Sequence, residues 1–265
     1  MKAALLSTLF GFLLLPIAEA QDLKTNPATI KKGFYVFWGY NRETYSRSTI
    51  HFKNTTTDNY DFTFSNAKAS DKPDMWRYYE LDRLTIPQYN LHTGYFFGDK
   101  NDLGIEISWD HLKYVVNDNQ VMHVTGQVRG HQIDKDTLVT PSFVHLQHTN
   151  GNNYLMVNIV KRTQLYDSKI IKISAMTKFG GGPLMSYTIS QILGNSDKGY
   201  FHYHGWVTGV GADLKANFGK YFFLQTGLQG AFVNYTNTRL GADHVGLSTQ
   251  HFYSLQWNYG FGCNF

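Results

Sequence analysis

From Tyr253 to the last residue the chain alternates without a break. Tyr253, Leu255, Trp257, Tyr259, Phe261, Cys263 and Phe265 form one file, and Ser254, Gln256, Asn258, Gly260, Gly262 and Asn264 fill the positions between them. A period of two places successive side chains on opposite faces of a strand. This segment therefore has one greasy face and one polar or small face. It is long enough to cross a bilayer on a tilt.

Seven further segments carry the same signature. Residues 33–42 set Phe34, Val36, Trp38 and Tyr40 on one face. Residues 86–97 oppose Tyr89, Leu91, Thr93 and Tyr95 to Gln88, Asn90, His92 and Gly94. In residues 103–116, Leu103, Ile105, Ile107 and Trp109 face away from Glu106, Ser108 and Asp110. Residues 153–162 carry Leu155, Val157 and Ile159, and from 171 onward Ile171, Ile173, Ala175 and Thr177 oppose Lys172, Ser174 and Lys178. Residues 203–217 set Trp206, Val210, Ala212 and Leu214 against glycines, Asp213 and Lys215. The next strand runs to Tyr235, with Phe222, Leu224, Leu228 and Phe232 opposite Gln225, Gly227 and Gln229.

Connectors alternate too: short at 98–102, 166–169 and 218–220, long elsewhere. That alternation predicts an all-β fold, a closed antiparallel transmembrane β-barrel of eight strands. Short turns and both termini belong on the periplasmic side and long loops outside. Closure removes the edges such strands would otherwise expose, whereas a soluble barrel has the opposite facing, apolar inside. The long connector 43–84 holds two alternating stretches, 48–53 and 60–65. They predict a hairpin extending the wall beyond the bilayer, or two more membrane strands, making ten; their polar faces favour the extension. Connector 117–152 contains a strand-like stretch at 121–128. The triple glycine at 180–182 lacks the following helix and Lys-Ser/Thr ending of a phosphate loop, and reads as a flexible strand end.

Composition refines this picture. Aromatics reach 16 %, with 18 Tyr and 19 Phe, at a mean hydropathy of −0.33. Many rings at low average hydropathy fit strands that alternate between lipid and water. Lys2, an apolar run over residues 3–17 and Ala18-Glu19-Ala20 predict a signal peptide at 1–20 and a single barrel domain over 21–265. Gln21 at the cut predicts no lipid anchor. The net charge of +4 is spread along the chain, which points to no nucleic-acid partner. Cys263 stands alone, so no intramolecular disulfide and no thiolate metal site are expected.

Signal peptide, eight alternating strands and an aromatic final strand together resemble the small outer-membrane β-barrels of diderm bacteria, similar in architecture to OmpA-type and lipid A-modifying barrels. The segments Trp-Gly-Tyr-Asn-Arg, Trp-Asp-His-Leu-Lys-Tyr and His-Thr-Asn-Gly-Asn-Asn-Tyr resemble an uncharacterised branch of that family. The resemblance implies that the barrel-assembly machinery reads Tyr259, Phe261 and Phe265 as its address. Lipid A-modifying members include a deacylase with a His-x-Ser pair on one strand. The nearest match here, His251 and Ser254, has two residues between, which puts the pair on opposite faces.

Three groups of residues are candidates for chemistry. Glu106, Asp110, Lys172, Lys178, Asp213 and Lys215 fall on the inferred inner face, where charges must pair or hold water. They make either an ion-paired plug or a narrow gated channel. Most of the 11 histidines lie near the inferred outer rim, His202 and His204 on one strand face among them. No carboxylate or thiolate spacing completes a metal site, so neither a metal nor a cofactor is expected. At the rim, Asp110, His111 and His148, with Asn41, Arg42 and Lys113 at similar height, are candidates for outer-leaflet lipid chemistry, although Asp110 and His111 face opposite sides. Loop aromatics Tyr45, Tyr60, Phe62, Trp76, Tyr78 and Tyr79 either meet an extracellular ligand or protein, or pack over the mouth.

The expected role is a structural or interaction scaffold in the bacterial outer membrane, with membrane lipid and the assembly machinery as partners. An outer-leaflet lipid hydrolase or acyltransferase using rim histidines is the alternative, and a narrow solute channel a further one.

Overall fold

The computed structural model describes residues 33–72, 88–97, 102–197 and 199–265. The expected signal peptide, residues 86 and 87 of the second segment, the turn at 98–101 and loop residues Trp76, Tyr78 and Tyr79 lie outside these. In chain order the strands are β1 (Gly33–Tyr45), β2 (Ser48–Asn54), β3 (Tyr60–Ala67), β4 (Ala69–Ser70), β5 (Tyr89–Phe97), β6 (Leu103–Val116), β7 (Gln120–Val128), β8 (His131–Val139), β9 (Val144–Asp167), β10 (Ile171–Ile192), β11 (Asn195–Asp197), β12 (Phe201–Phe218), β13 (Phe222–Leu240) and β14 (Gly246–Asn264).

Eight of them close a ring. The order runs β1-β5-β6-β9-β10-β12-β13-β14, and β14 then pairs with β1. Each step is antiparallel, from Tyr35 opposite Asn264 at one end of the seam to Tyr45 opposite Ser254 at the other. All eight alternating segments of the sequence are ring strands. The tight link at Gly219, where φ is +64°, is one of the short turns; a side chain there would be strained in the left-handed region.

The apolar files face outward. Ile107, Val157, Phe179, Leu214, Leu228 and Phe261 are all exposed on the wall, Ile107 by 57 %. Trp38, Tyr89, Trp109, Trp206, Phe232 and Tyr253 top this belt, and Phe34, Phe218, Phe222 and Phe265 form its foot. Measured along β14, the belt is roughly 30 Å tall at the tilt usual for such strands. That is the thickness of a bilayer's hydrocarbon core. The spanning segments lie between these two rows of rings: residues 33–42, 89–97, 103–111, 154–166, 171–183, 206–218, 222–232 and 253–265. The short turns and the β1–β14 chain ends share one end of the barrel, here the turn end; the other is the loop end.

Inside the belt the wall is polar. Gln88, Asn90, His92, Glu106, Asp110, Asn158, Lys178 and Asp213 are buried in the lumen. An aromatic layer of Tyr35, Phe37, Phe96 and Phe223 closes it toward the turn end. The glycines opposite those rings make room for them: a Cβ at Gly94 would run into the Tyr35 ring, and one at Gly262 into Phe223.

Above the belt the facing inverts. Strands β9, β10, β13 and β14 continue without a break, but their inward residues become apolar. Leu146, Val233, Leu240 and Phe252 are buried, whereas His145, Asn234 and His251 look out. The branch β2-β3-β7-β8 grows from the upper part of β14 and folds its own apolar face, Ile50, Phe52, Phe62, Phe64, Met122 and Val124, onto that surface. The stretches at 48–53 and 60–65 are thus the extending hairpin rather than ninth and tenth membrane strands, because their apolar sides meet protein instead of lipid. The triple glycine is not a strand end but the middle of β10. A Cβ at Gly182 would strike the Leu155 carbonyl and one at Gly181 the Val207 carbonyl, so the glycines let β10 approach β9 and β12 closely.

Candidate functional site

The lumen cluster begins with parity. Glu106, Ser108 and Asp110 of β6 share a face, as do Gln88, Asn90 and His92 at β5, and Lys178 and Asp213 face them from β10 and β12. Lys178 Nζ lies 3.4 Å from Glu106 and 3.2 Å from Asp213, with all three side chains buried. The Tyr35 hydroxyl donates to Glu106 at 2.8 Å, and the Asn158 amide does so at 3.2 Å. His92 bonds Asp110 through Nε2 at 2.7 Å, while its Nδ1 stands 3.7 Å from Glu106. Asn90 and Gln229 also donate to Asp110. Lys215 sits lower, donating to Asn264 at 2.8 Å with its ammonium 3.6 Å from the centre of the Phe223 ring. Charges this deep persist because each is paired or hydrogen-bonded.

Lys172 is a correction. It lies at the turn end, partly exposed and ion-paired with Asp167 at 2.9 Å, because β10 has by then passed the lumen floor. His92 is the member that the candidate residues omit. The signal for it was present, since it shares the polar face of Gln88 and Asn90.

The rim candidates do not meet. Asp110 points into the lumen and is engaged by His92. His111 is on the outer wall, stacked on Tyr89 at 4.8 Å, and its Nδ1 donates to Asn153 Oδ1 at 2.9 Å. His148 is inside the loop-end core. Asp110 and His148 both face inward but at different heights, Asp110 opposite Tyr154 and His148 opposite Tyr114, and His111 faces out.

His148 instead ends a hydrogen-bonded series whose direction is fixed. The His202 carbonyl can only accept, so His204 Nδ1–H donates to it at 2.9 Å. His204 Nε2 is then bare and accepts the Thr188 hydroxyl at 2.9 Å. The Thr188 oxygen in turn accepts His148 Nδ1–H at 2.7 Å. Among the described residues, His148 Nε2 is left as a buried lone pair without a hydrogen-bond donor. Burial, with the neighbouring His202, pushes His204 down to about 3, and burial with His204 and His202 nearby holds His148 well below the usual imidazole value. Both rings are neutral above the belt. Tyr60 and Phe62 are buried in the same core, with the partly buried Tyr45 packed against it.

His251 and Ser254 take opposite faces, one exposed and one buried. Tyr259, Phe261 and Phe265 belong to the outer face of the closing strand, Phe261 and Phe265 exposed. Among the described residues, no group of three or more His, Cys, Asp or Glu side chains is placed to hold a metal ion.

No family model matches the chain, and no curated protein matches it. Among solved structures, Ail, the attachment invasion locus protein of Yersinia pestis, in complex with the heparin analogue sucrose octasulfate, aligns over 89 % of this chain and 100 % of its own, at 13 % identity and a TM-score of 0.34. The outer membrane protease OmpT of Escherichia coli aligns over 91 % of this chain and 100 % of its own, at 8 % identity and a TM-score of 0.40. The outer membrane protein OprG of Pseudomonas aeruginosa covers 88 % and 96 %, at 9 % identity and a TM-score of 0.38. Likenesses this distant transfer no role.

Proposed function

We propose that this chain is a bacterial outer-membrane barrel that works as a non-conducting scaffold, holding the β2-β3-β7-β8 sheet on the outer side of the membrane for interaction. The observation that carries this reading is the filling of the interior at every level. An aromatic floor, an ion-paired middle storey and an apolar loop-end core follow one another along the axis. A ring of eight strands has room for little besides its own side chains, which favours the plug over the narrow channel. The alternative, lipid hydrolysis by rim histidines, has no constellation to rest on, since Asp110, His111 and His148 occupy three separate environments.

Planar-bilayer recording of the folded barrel tests the reading. The expected trace is flat at low applied voltage. Regular unitary steps that persist after removal of detergent would overturn the scaffold in favour of a pore. Incubation with lipid A followed by mass spectrometry of the lipid checks the enzymatic alternative, and an unchanged acyl pattern is expected.

A further inference from the structure

Just above the belt the outer wall is dented. A cavity of about 280 Å³ is lined by Thr49 and His51 of β2, Asn234, Tyr235 and Thr236 of β13, and Thr249, Gln250 and His251 of β14. Its origin is a bulge. Between Tyr235 and Thr238, β13 spends three steps where β14 spends two, from Gln250 to Ser248. A bulge bends the wall and re-aims side chains at functional rims. Pairing then sets the relief: Thr49 lies opposite His251, and His51 opposite Thr249. The short threonines form a floor between two taller imidazoles.

The dent's outward side chains offer three hydroxyls, one carboxamide and two imidazoles, Tyr235 and Gln250 being turned inward, and the lining holds no carboxylate. Asp61, beside it, is already shared by His51 at 2.7 Å and Lys53 at 3.0 Å. Arg47 is exposed one step below Thr49 on the same face. Below the dent, Phe232 lies 5.9 Å from His251, Tyr253 lies 5.4 Å from Phe232, and the exposed Leu228 and Leu255 continue down the belt. Hydroxyls and an amide suit the hydroxyl groups of a sugar, and imidazoles flanked by Lys53 and Arg47 suit a phosphate. The adjoining apolar wall suits acyl chains.

We propose that this dent binds the phosphorylated sugar headgroup of an outer-leaflet glycolipid whose chains lie on the belt beneath. The proposal rests on the reading of the loop end as the outer side of the membrane. A soluble sugar phosphate would touch only the upper half of this surface, so the lipid-borne form is the one the geometry fits.

The test uses the full processed chain in nanodiscs of phosphatidylcholine, alone or mixed with lipid A or with phosphatidylglycerol. Diethylpyrocarbonate labelling of His51 and His251 is followed by peptide mass spectrometry, with the exposed His123 and His131 as internal references. Lipid A is expected to slow labelling of His51 and His251 by roughly tenfold while the references are unchanged. In native mass spectrometry, Thr49→Trp and Asn234→Leu, both outward-facing side chains outside the buried core, are expected to lose the retained lipid A. Equal protection by phosphatidylglycerol, equal protection by free glucosamine phosphate, or undiminished lipid A retention by both variants overturns the proposal while leaving the barrel intact. Failure of the chain to enter the discs would instead remove the membrane reading itself, and the headgroup site with it.

Discussion

His148 lies flat on Tyr235, the two rings 4.5 Å apart and 7° from parallel. That stack marks the level at which the barrel interior changes from polar to apolar. On its other side the Tyr235 hydroxyl donates to Asn152 Oδ1 at 2.6 Å, so the stack joins β9 to β13 across the interior.

Acid should weaken this level. His204 and His148 are held neutral in the fold and titrate near 6.5 when unfolded. Between about 6.5 and 3 the unfolded state therefore binds more protons, and stability rises with pH. Their contribution is present above the unfolded value and is lost as pH falls through that window. Thermal unfolding of the detergent-solubilised protein between pH 7.5 and 4 should show a falling midpoint. His204→Gln should flatten the slope, and an unchanged slope would mean that these rings do not carry it.

Breaking the lumen plug should be costly. Lys178→Met leaves Glu106 and Asp213 buried without their shared cation, at about 3–5 kcal/mol. Urea unfolding in lipid vesicles measures it. Adding Glu106→Gln and Asp213→Asn to Lys178→Met is expected to recover part of the loss, because no uncompensated carboxylate then remains.

Two equally exposed aliphatic residues should answer oppositely to charge. Ile107 is 57 % exposed within the belt, and Leu138 is 55 % exposed on β8 above it. Ile107→Arg should cost about 2–4 kcal/mol if it lies near the bilayer midplane. Leu138→Arg should be neutral within ~0.5 kcal/mol. Similar small effects from both would count against lipid contact at Ile107.

Gly205 should resist substitution. Its φ is +152°, and a Cβ there would meet the Asn234 carbonyl. It adjoins the register shift by which β12 leaves step with β10, Leu184 facing Gly205 and Met185 facing Tyr203. That shift brings His204 to Thr188. Gly205→Ala should cost about 1–3 kcal/mol and raise hydrogen exchange around Thr188 before it affects the belt.

Period-two alternation made the ring legible because lipid outside and a filled lumen inside impose opposite demands on neighbouring residues. The strand beginning at Asn153 shows where that legibility stops. In the fold β9 starts at Val144, but Thr149, Asn152 and Asn153 interrupt the apolar file, and beyond them the greasy residues switch to the inner face. Such a switch looks in sequence like the end of a strand. The extending hairpin at 48–53 and 60–65 was readable from its own alternation, as was the stretch of β7 at 121–128, whereas the polar β8 that pairs with it was not. The separation of Asp110, His111 and His148 was readable only for the first two, which are adjacent. His148 required the strand's path above the belt, and the pairing of His92 with Asp110 required the barrel's cross-section.

The final strand is zipped to two partners in succession. Residues 254–264 join β1 and residues 247–251 join β2. Circularisation and attachment of the outboard sheet therefore both depend on one strand. Until that strand docks, the oily faces of β2 and β3 lack the wall they pack onto, so the chain's vulnerability to clumping is concentrated in the interval before it arrives.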